Sequence, residues 1–492
     1  MDHLHDLVII GAGLSGIGAA CRFVTEFPDK SLAILESRGA IGGTWDLFRY
    51  PGIRSDSDML TLGYDFRPWP GDKTLASGPA IRDYVRDTAA EYGVDERVAF
   101  HSRVTAMDFD TTRDVWTLTV TDPRDESVRT IKTRMVLSCA GYYRYDRGHD
   151  PHFDGRDDFA GPVIHPQHWP EDLDYAGKRI AVIGSGATAV TLVPELAKTA
   201  AHVVQVQRTP SYVAAIPSVD PVMKVTRKLL SPERHYRINR WKNIAIAQRA
   251  YRKAQAKPDK ARRWFERKTK KALGRDYPVD VHFNPPYNVW DQRVCMIPDG
   301  DMFDAIASGR ASVVTGHIER FTPSGIRMQD GSDIEADIIV TATGLEILYN
   351  GGAAMSVEGE AVEPNDCVGY KGCMFSGVPN FVTVFGYTNA SWTLRADLMS
   401  RWAFRLIRHM DENGLSRVVP LAPDDMERRR WLDFEAGYLA RAEHLLPKQG
   451  DRAPWLNTQD YANDKVMFLK DPVAGEGLEF SSVGTRALAA AE

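Results

Sequence analysis

Leu7-Val8-Ile9-Ile10-Gly11-Ala12-Gly13-Leu14-Ser15-Gly16 decides the fold. Four apolar residues bounded by glycine read as a buried strand, and the apolar and small positions from Leu14 to Val24 read as a helix packed on it. Between them lies the GxGxxG spacing. Gly11 allows a tight turn, Gly13 lets the backbone approach a pyrophosphate, and Gly16 lets helix and strand pack closely. The partial positive charge of the helix N-terminus then faces the phosphates. A second apolar strand, Leu32-Ala33-Ile34-Leu35, ends in Glu36, twenty residues after Gly16 and placed to accept hydrogen bonds from a ribose diol.

The same grammar recurs further along. Arg179-Ile180-Ala181-Val182-Ile183 reads as a strand and runs into Gly184-Ser185-Gly186-Ala187-Thr188-Ala189, with alanine in the third, helix-packing place. The next strand, His202 to Gln207, ends in Arg208-Thr209 instead of an acid. A guanidinium there suits a 2′-phosphate by charge and bidentate geometry, so the second site reads as one for NADPH; the plainer alternative is an exposed arginine just past a strand end. Two nucleotide sites on one chain imply electron transfer from a nicotinamide to a tightly held second cofactor, and the acid-ended first site suits the ADP half of FAD. The expected fold class is therefore α/β with two dinucleotide-binding, Rossmann-like domains. A discontinuous FAD domain over 1–150 and 336–492 would receive an NADPH domain over 151–335.

Composition narrows the function classes. At 492 residues the chain is long enough for two or three domains, and 43% hydrophobic with 26% charged residues argues against disorder. A net charge of −5 offers no general field for nucleic acid. Cys21, Cys139, Cys295, Cys367 and Cys373 are an odd, scattered set, which suggests a reducing compartment, and the expected location is cytoplasmic. The N-terminus lacks the pattern of a secretory signal, and no window approaches a membrane span. No metal-ligand constellation stands out.

Three classes compete for a chain of this kind: a disulfide reductase, an oxygen-activating monooxygenase, and a nucleotide-sensing protein without turnover. The reductase needs a dithiol near the flavin, but there is no CxxC, and Cys367 and Cys373 have five residues between them and are far from the first glycine turn. Phe159-Ala160-Gly161-Pro162-Val163-Ile164-His165-Pro166-Gln167-His168-Trp169-Pro170 fits FxGxxxHxxxWP. A second long pattern, GGxWxxxxYPGxxxD, appears as Gly42-Gly43-Thr44-Trp45, Tyr50-Pro51-Gly52 and Asp56. With these and the turns Cys139-Ala140-Gly141 and Ala342-Thr343-Gly344, the chain resembles the type I Baeyer–Villiger monooxygenases over nearly its whole length. From the residues alone His165 and His168 are two structural histidines. The resemblance makes Phe159, Gly161, His165 and Trp169 parts of a linker between FAD and NADPH domains, with a histidine that couples domains more than it does chemistry.

The resemblance implies an FAD-dependent, NADPH- and O2-consuming enzyme that converts ketones to esters or lactones through a C4a-peroxyflavin, with sulfoxidation as a side activity. The runner-up acts mainly on sulfur or nitrogen of thioamides, sulfides or amines. A peroxide anion in a water-poor site needs a fixed cation, and Asp291-Gln292-Arg293 resembles the segment that supplies one. Arg293 and Asp56 are thus expected to be catalytic, Asp56 aiming the guanidinium. Many relatives carry lysine where this chain has Gln292, touching the NADPH 2′-phosphate, so coenzyme choice leans on Arg208 and Thr209. The cofactor-binding set implied is Gly11, Gly13, Gly16, Glu36, Gly43, Thr44, Trp45, Asp56, Val104, Gly184, Ser185, Gly186, Ala187, Thr188, Arg208, Thr209, Gln292 and Trp392. In the family the turn after Phe381-Val382-Thr383-Val384-Phe385 lies beside the flavin ring. Asn389 and Ser391 are candidate caps of the helix that follows, which Asn413-Gly414 ends. Trp392, Tyr387 and Trp455 are candidate pocket residues, with core packing the favoured reading for large aromatics.

Lys224 to Arg275 holds nineteen Lys+Arg against three Asp+Glu, net +16, which leaves −21 on the rest of a chain whose total is −5. With Trp241, Ile244, Ile246, Tyr251, Trp264 and Phe265 interleaved, residues 214–282 read as a basic helical insert broken at Pro258-Asp259. A solvated helical face is the favoured reading, and peripheral contact with an anionic membrane surface the alternative. Expected partners are small ketones or sulfides and O2, without nucleic acid; the oligomeric state is not set by the sequence.

Overall fold

Leu7, Val8, Ile9 and Ile10 are all buried, because the strand Leu4–Ile10 sits between two parallel neighbours, Leu32–Leu35 and Val128–Ser138. The computed structural model describes residues 3–433 and 436–483. Val98–Ala99 extends the sheet beyond Leu32–Leu35. On the other side the long strand Val128–Ser138 branches: its first half pairs antiparallel with Val115–Thr121, and its last residues pair in parallel with Phe381–Thr383. Ala354–Val357 joins the same sheet beside Arg103–Asp110, so chain from both ends builds the first domain. The helix Leu14–Glu26 covers this sheet and packs against the long helix Trp392–Glu412, with the Phe23 and Phe404 rings 5.6 Å apart. Met399, Phe404 and Leu406 are fully buried, each worth about 1.5–3 kcal/mol of transfer free energy.

The second sheet is wholly parallel, ordered Ala311–Thr315, His202–Gln207, Arg179–Ile183, Ile338–Thr341, Val163–Ile164. Ile338–Thr341 lies past residue 336, where the sequence placed the return to the first domain. The return comes later because four consecutive buried residues there pair with Arg179–Ile183. The helical insert is also longer than 214–282. Val213–Ile216 and Cys295–Pro298 pair in parallel, so the chain leaves and rejoins the domain at those strands, with 217–294 between them. The insert consists mainly of helices Pro221–Leu229, Pro232–Ala256 and Pro258–Leu273, the last two meeting at Pro258 as the sequence implied. It is docked on the first domain: Arg240 donates to the Leu60 and Gly63 carbonyls at 2.6 and 2.8 Å, the Tyr236 hydroxyl to the Tyr64 carbonyl at 2.7 Å, and Asn243 to Asp58 at 2.8 Å.

Each domain uses its first glycine alike. Gly11 has φ +99° and a Cβ there would lie 2.6 Å from the Cys139 carbonyl oxygen; Gly184 has φ +138° and a Cβ would lie 2.3 Å from that of Ala342. In both places the returning turn fills the space that a side chain would need.

The two passages between domains, Tyr143–Gly148 and Leu345–Ile347, pair antiparallel with each other. His165 is folded onto them. Its Nε2 donates to the Gly344 carbonyl at 3.2 Å, its Nδ1 accepts from the Gln167 amide at 3.2 Å, and a Cβ on Gly148 would meet the ring at 2.0 Å. Gln167 and His168 bond to the Arg144, Tyr145 and Asp146 carbonyls of the same strand, and Phe159 and Trp169 are buried. Burial pushes the His165 pKa below its ordinary 6.5, partly countered by the bond to Gly344. The unfolded chain then binds a proton near pH 6.5 that the folded chain resists, so stability falls as pH drops through that value toward the folded pKa. A His165→Gln variant is expected to show a smaller loss of Tm between about pH 7.5 and about pH 5.5 than the parent protein; an equal loss contradicts this role for the ring.

Candidate functional site

A cavity of about 1100 Å³ runs from the first glycine turn to the second and collects most of the residues singled out in the sequence. At one end Glu36 is 4% exposed, and its carboxylate accepts from the Ala12 and Arg38 amides, each at 2.8 Å. The charge is held by backbone donors at the strand end, where a ribose diol would donate to it. Gly43 has φ +56°, and a Cβ there would come 3.0 Å from the Gly13 Cα. The two backbones meet without side chains, leaving a channel a pyrophosphate would fit. Thr44 Oγ1 lies 3.3 Å from the Tyr145 hydroxyl, and Trp45 and Val104 line the wall. Gly16 packs inside instead, its Cα facing the Gly11 carbonyl.

At the other end Ser185 is engaged internally: its hydroxyl donates to the Thr209 carbonyl at 2.8 Å and lies 3.0 Å from the Ser211 hydroxyl. Its side chain therefore shapes the turn. Around Gly186 nothing lies within 4 Å of a Cβ position, and the helix beginning at Ala187 and Thr188 points into that space. Arg208, Thr209 and Gln292 line this end, and Arg208 is exposed and makes no ion pair among the described residues.

Between the ends stand Arg293 and Asp56. Arg293 Nε is 2.7 Å from Asp56 Oδ2 and Nη2 is 2.9 Å from Oδ1, a two-bonded fork. The remaining Nη1 makes no hydrogen bond among the described residues. The Asp56 charge raises the Arg293 pKa far above its ordinary value, outweighing burial, so the guanidinium stays charged. Tyr142, Tyr143 and Tyr438 also face it; the Tyr142 and Tyr143 hydroxyls are 2.7 Å apart, and burial raises the pKa of all three phenols. Trp392 stacks on Tyr142 with centroids 5.2 Å apart and donates from Nε1 to Ser15 at 2.9 Å, joining the start of the helix Trp392–Glu412 to the first glycine turn.

The expected caps do not cap. Ser391 occupies the N-cap place without a side-chain hydrogen bond to the helix, its hydroxyl meeting Thr61, while Asn389 donates to the Gln459 carbonyl at 3.1 Å. Both side chains are diverted to hold the turn against neighbouring chain. Gln459 also accepts from the Thr388 amide at 2.9 Å, and Tyr387 donates to the buried Asp464 at 2.7 Å. Tyr387 lines the cavity, and Trp455 packs in the core against Tyr370, 5.2 Å away, as the favoured reading of such aromatics implied. Cys367 and Cys373 are buried, unpaired thiols, with burial raising their pKa to about 11 and about 12, which disfavours thiolate chemistry.

Sequence reasoning missed several cavity features. Asp46, 3% exposed, takes Arg38, Arg49 and Arg86 at 2.8, 3.2 and 2.7 Å and so fixes the turn carrying Thr44 and Trp45. It stands inside the GGxWxxxxYPG pattern but at an unspecified place. The Tyr142-Tyr143 pair directly follows the turn at Gly141 and was legible there; Tyr438 and Arg441, from the far end of the chain, carried no signal.

Residues 68–221 match the family described as flavin-binding monooxygenase-like, and residues 9–66 match an NAD(P)-binding Rossmann-like domain. The chain is 48% identical to the FAD-containing monooxygenase EthA of Mycolicibacterium smegmatis over 98% of both chains, and 47% identical to EthA of Mycobacterium tuberculosis with the same coverage. It is 45% identical to a probable FAD-binding monooxygenase AlmA of an Acinetobacter species, again over 98% of each. In fold it is similar to an oxidized steroid monooxygenase bound to NADP, with a TM-score of 0.78 at 21% identity, over 98% of this chain and 100% of that one. An open structure of cyclohexanone monooxygenase gives a TM-score of 0.75 at 20% identity with the same coverage. With its two glycine turns facing one cavity and full-length relatives close to half identical, the chain belongs to the family of FAD-containing, flavin-binding monooxygenases.

Proposed function

We propose that this protein holds FAD at the Glu36 end of the cavity and NADPH at the Arg208 end, and oxygenates ketones to esters or lactones in the Baeyer–Villiger manner, with sulfoxidation as a secondary activity. The observation that carries the reading is the forked Arg293–Asp56 pair standing between the two glycine turns. Bound flavin, reduced by the nicotinamide, supplies the activation of O2. The chain's own residues supply the setting for a nucleophilic oxygen. Arg293 keeps a permanent positive charge beside the reacting region, and Asp56 fixes its plane by taking two of its donors. The free Nη1 would be left to hold negative charge that develops on oxygen in the reacting region. Phenols whose pKa is raised remain neutral donors and do not compete as anions. Trp392 and Tyr142 form a flat aromatic wall that excludes water from that region.

The second reading, oxidation mainly at sulfur or nitrogen of thioamides, sulfides or amines, asks less of the arginine, because an electrophilic oxygen needs no anion stabilised. Arg293→Ala separates the two. Losing one preorganised donor lowers turnover by about a hundredfold to a thousandfold. The variant is expected to keep its yellow flavin and NADPH oxidation and to lose labelled ester from 18O2 and an aliphatic methyl ketone by that factor. Unchanged ester formation removes Arg293 from the chemistry, and a parent protein that labels only an aryl methyl sulfoxide favours the second reading.

The basic insert supports a peripheral membrane contact. Val222, Val225 and Leu229 repeat at i, i+3 and i+7 on one helix and are exposed, Leu229 by 75%, and Trp241 on the next helix is 71% exposed. Tyr251 and Phe265, by contrast, are spent on packing against Trp290 and Tyr212. No helix among the described residues is long and apolar enough to cross a membrane, so contact would be at the surface. Vesicles containing anionic lipid are expected to float the protein at low salt and release it at high salt, and Leu229→Glu with Trp241→Glu to reduce flotation; flotation that is absent, or indifferent to salt, refutes the contact.

A further inference from the structure

Arg441 closes the short helix Gly437–Arg441 and lines the same cavity as Arg208 and the second glycine turn. Neither guanidinium has an ion-pair partner among the described residues. Glu346, a carboxylate whose charge reaches Arg441, already holds Arg144 and Arg147 at 3.2 and 3.0 Å. Burial pushes the Arg441 pKa below its ordinary value, and the charge of Arg208 adds to that. Glu346 offsets part of this, but two cations lining one cavity repel each other, and an anion bound by both would reverse the sign of that interaction. The end of the strand His202–Gln207 is where the ribose of a dinucleotide lies in this architecture, so the anion would stand on that ribose. The lysine that many members of the resembling family place before the central arginine is Gln292 here, which leaves this end one cation short.

We propose that Arg441 and Arg208 together form a two-guanidinium clamp for the 2′-phosphate of NADPH, Arg441 standing in for the missing lysine. The inference rests on the reading of the second site as an NADPH site and names a specificity residue within it. A phosphomonoester carries about −1.5 to −2 charges near pH 7, enough to engage both forks. Sequence alone did not point to Arg441, which arrives from a part of the chain 233 positions past Arg208.

The test compares adenosine 2′,5′-bisphosphate with adenosine 5′-monophosphate, which differ only in the 2′-phosphate, binding to the flavin-loaded protein by calorimetry. The parent protein is expected to prefer the bisphosphate. Arg441→Ala should reduce that preference by on the order of tenfold or more while leaving monophosphate affinity and Tm unchanged, and Arg441→Lys should restore part of it. If Arg208→Ala abolishes the preference and Arg441→Ala leaves it intact, the clamp is overturned and the NADPH reading stands. If Arg441→Ala weakens both ligands equally, its role is general to the pocket and the clamp is overturned too. A parent protein without preference overturns both the clamp and the NADPH reading.

Discussion

Asp56 belongs to the first domain and Arg293 to the insert of the second, so the charge pair at the centre of the cavity forms only when the two domains and the insert are all in place. The pair is only partly buried, Arg293 39% and Asp56 22% exposed, and the two-bonded fork is the geometry that makes most of its charge-assisted bonds. The pair therefore makes domain arrangement and site chemistry one condition. Arg240, Tyr236 and Asn243 hold the insert on the Asp58–Tyr64 segment, a few residues from Asp56 itself. A shift of the insert would move Arg293 relative to Asp56.

The two long sequence patterns are also structural joints. Phe48 and Tyr50 are buried in one cluster with Trp169, Val190 and Ile164, and a Cβ at Gly52 would lie 2.9 Å from the Glu195 Cβ of a second-domain helix. His165, Gln167 and His168 bond to the paired strands that carry the chain between domains. The relative placement of the cavity ends is thus held by packing and hydrogen bonds at the joint between the domains. A coenzyme held at one end can then meet a flavin held at the other without the chain having to search for the alignment.

The glycine turns, their flanking strands and the strand-end residues Glu36 and Arg208 were legible because each is a local event: a φ that favours glycine, a β-branched run, a charge at a fixed offset. The FxGxxxHxxxWP stretch was legible for the same reason, since its residues lie within a dozen positions of one another. Asn389 and Ser391 misled because a cap is judged from local spacing, while their side chains are claimed by Gln459 and Thr61 from other parts of the chain. Trp455 fills the core, which is the default reading for a large aromatic without a positional signal.

By itself the sequence determined two dinucleotide-binding units, their order, the acid and the arginine at their strand ends, and an unusually basic insert, all properties of short stretches with a fixed period or offset. Only the tertiary structure decided where the second sheet ends, that Arg293 meets Asp56 in a fork, that Asp46 gathers three arginines, and that Arg441 lines the same cavity as Arg208. Each of these depends on side chains brought together from segments far apart in the chain, and no periodicity along one stretch encodes a contact with another.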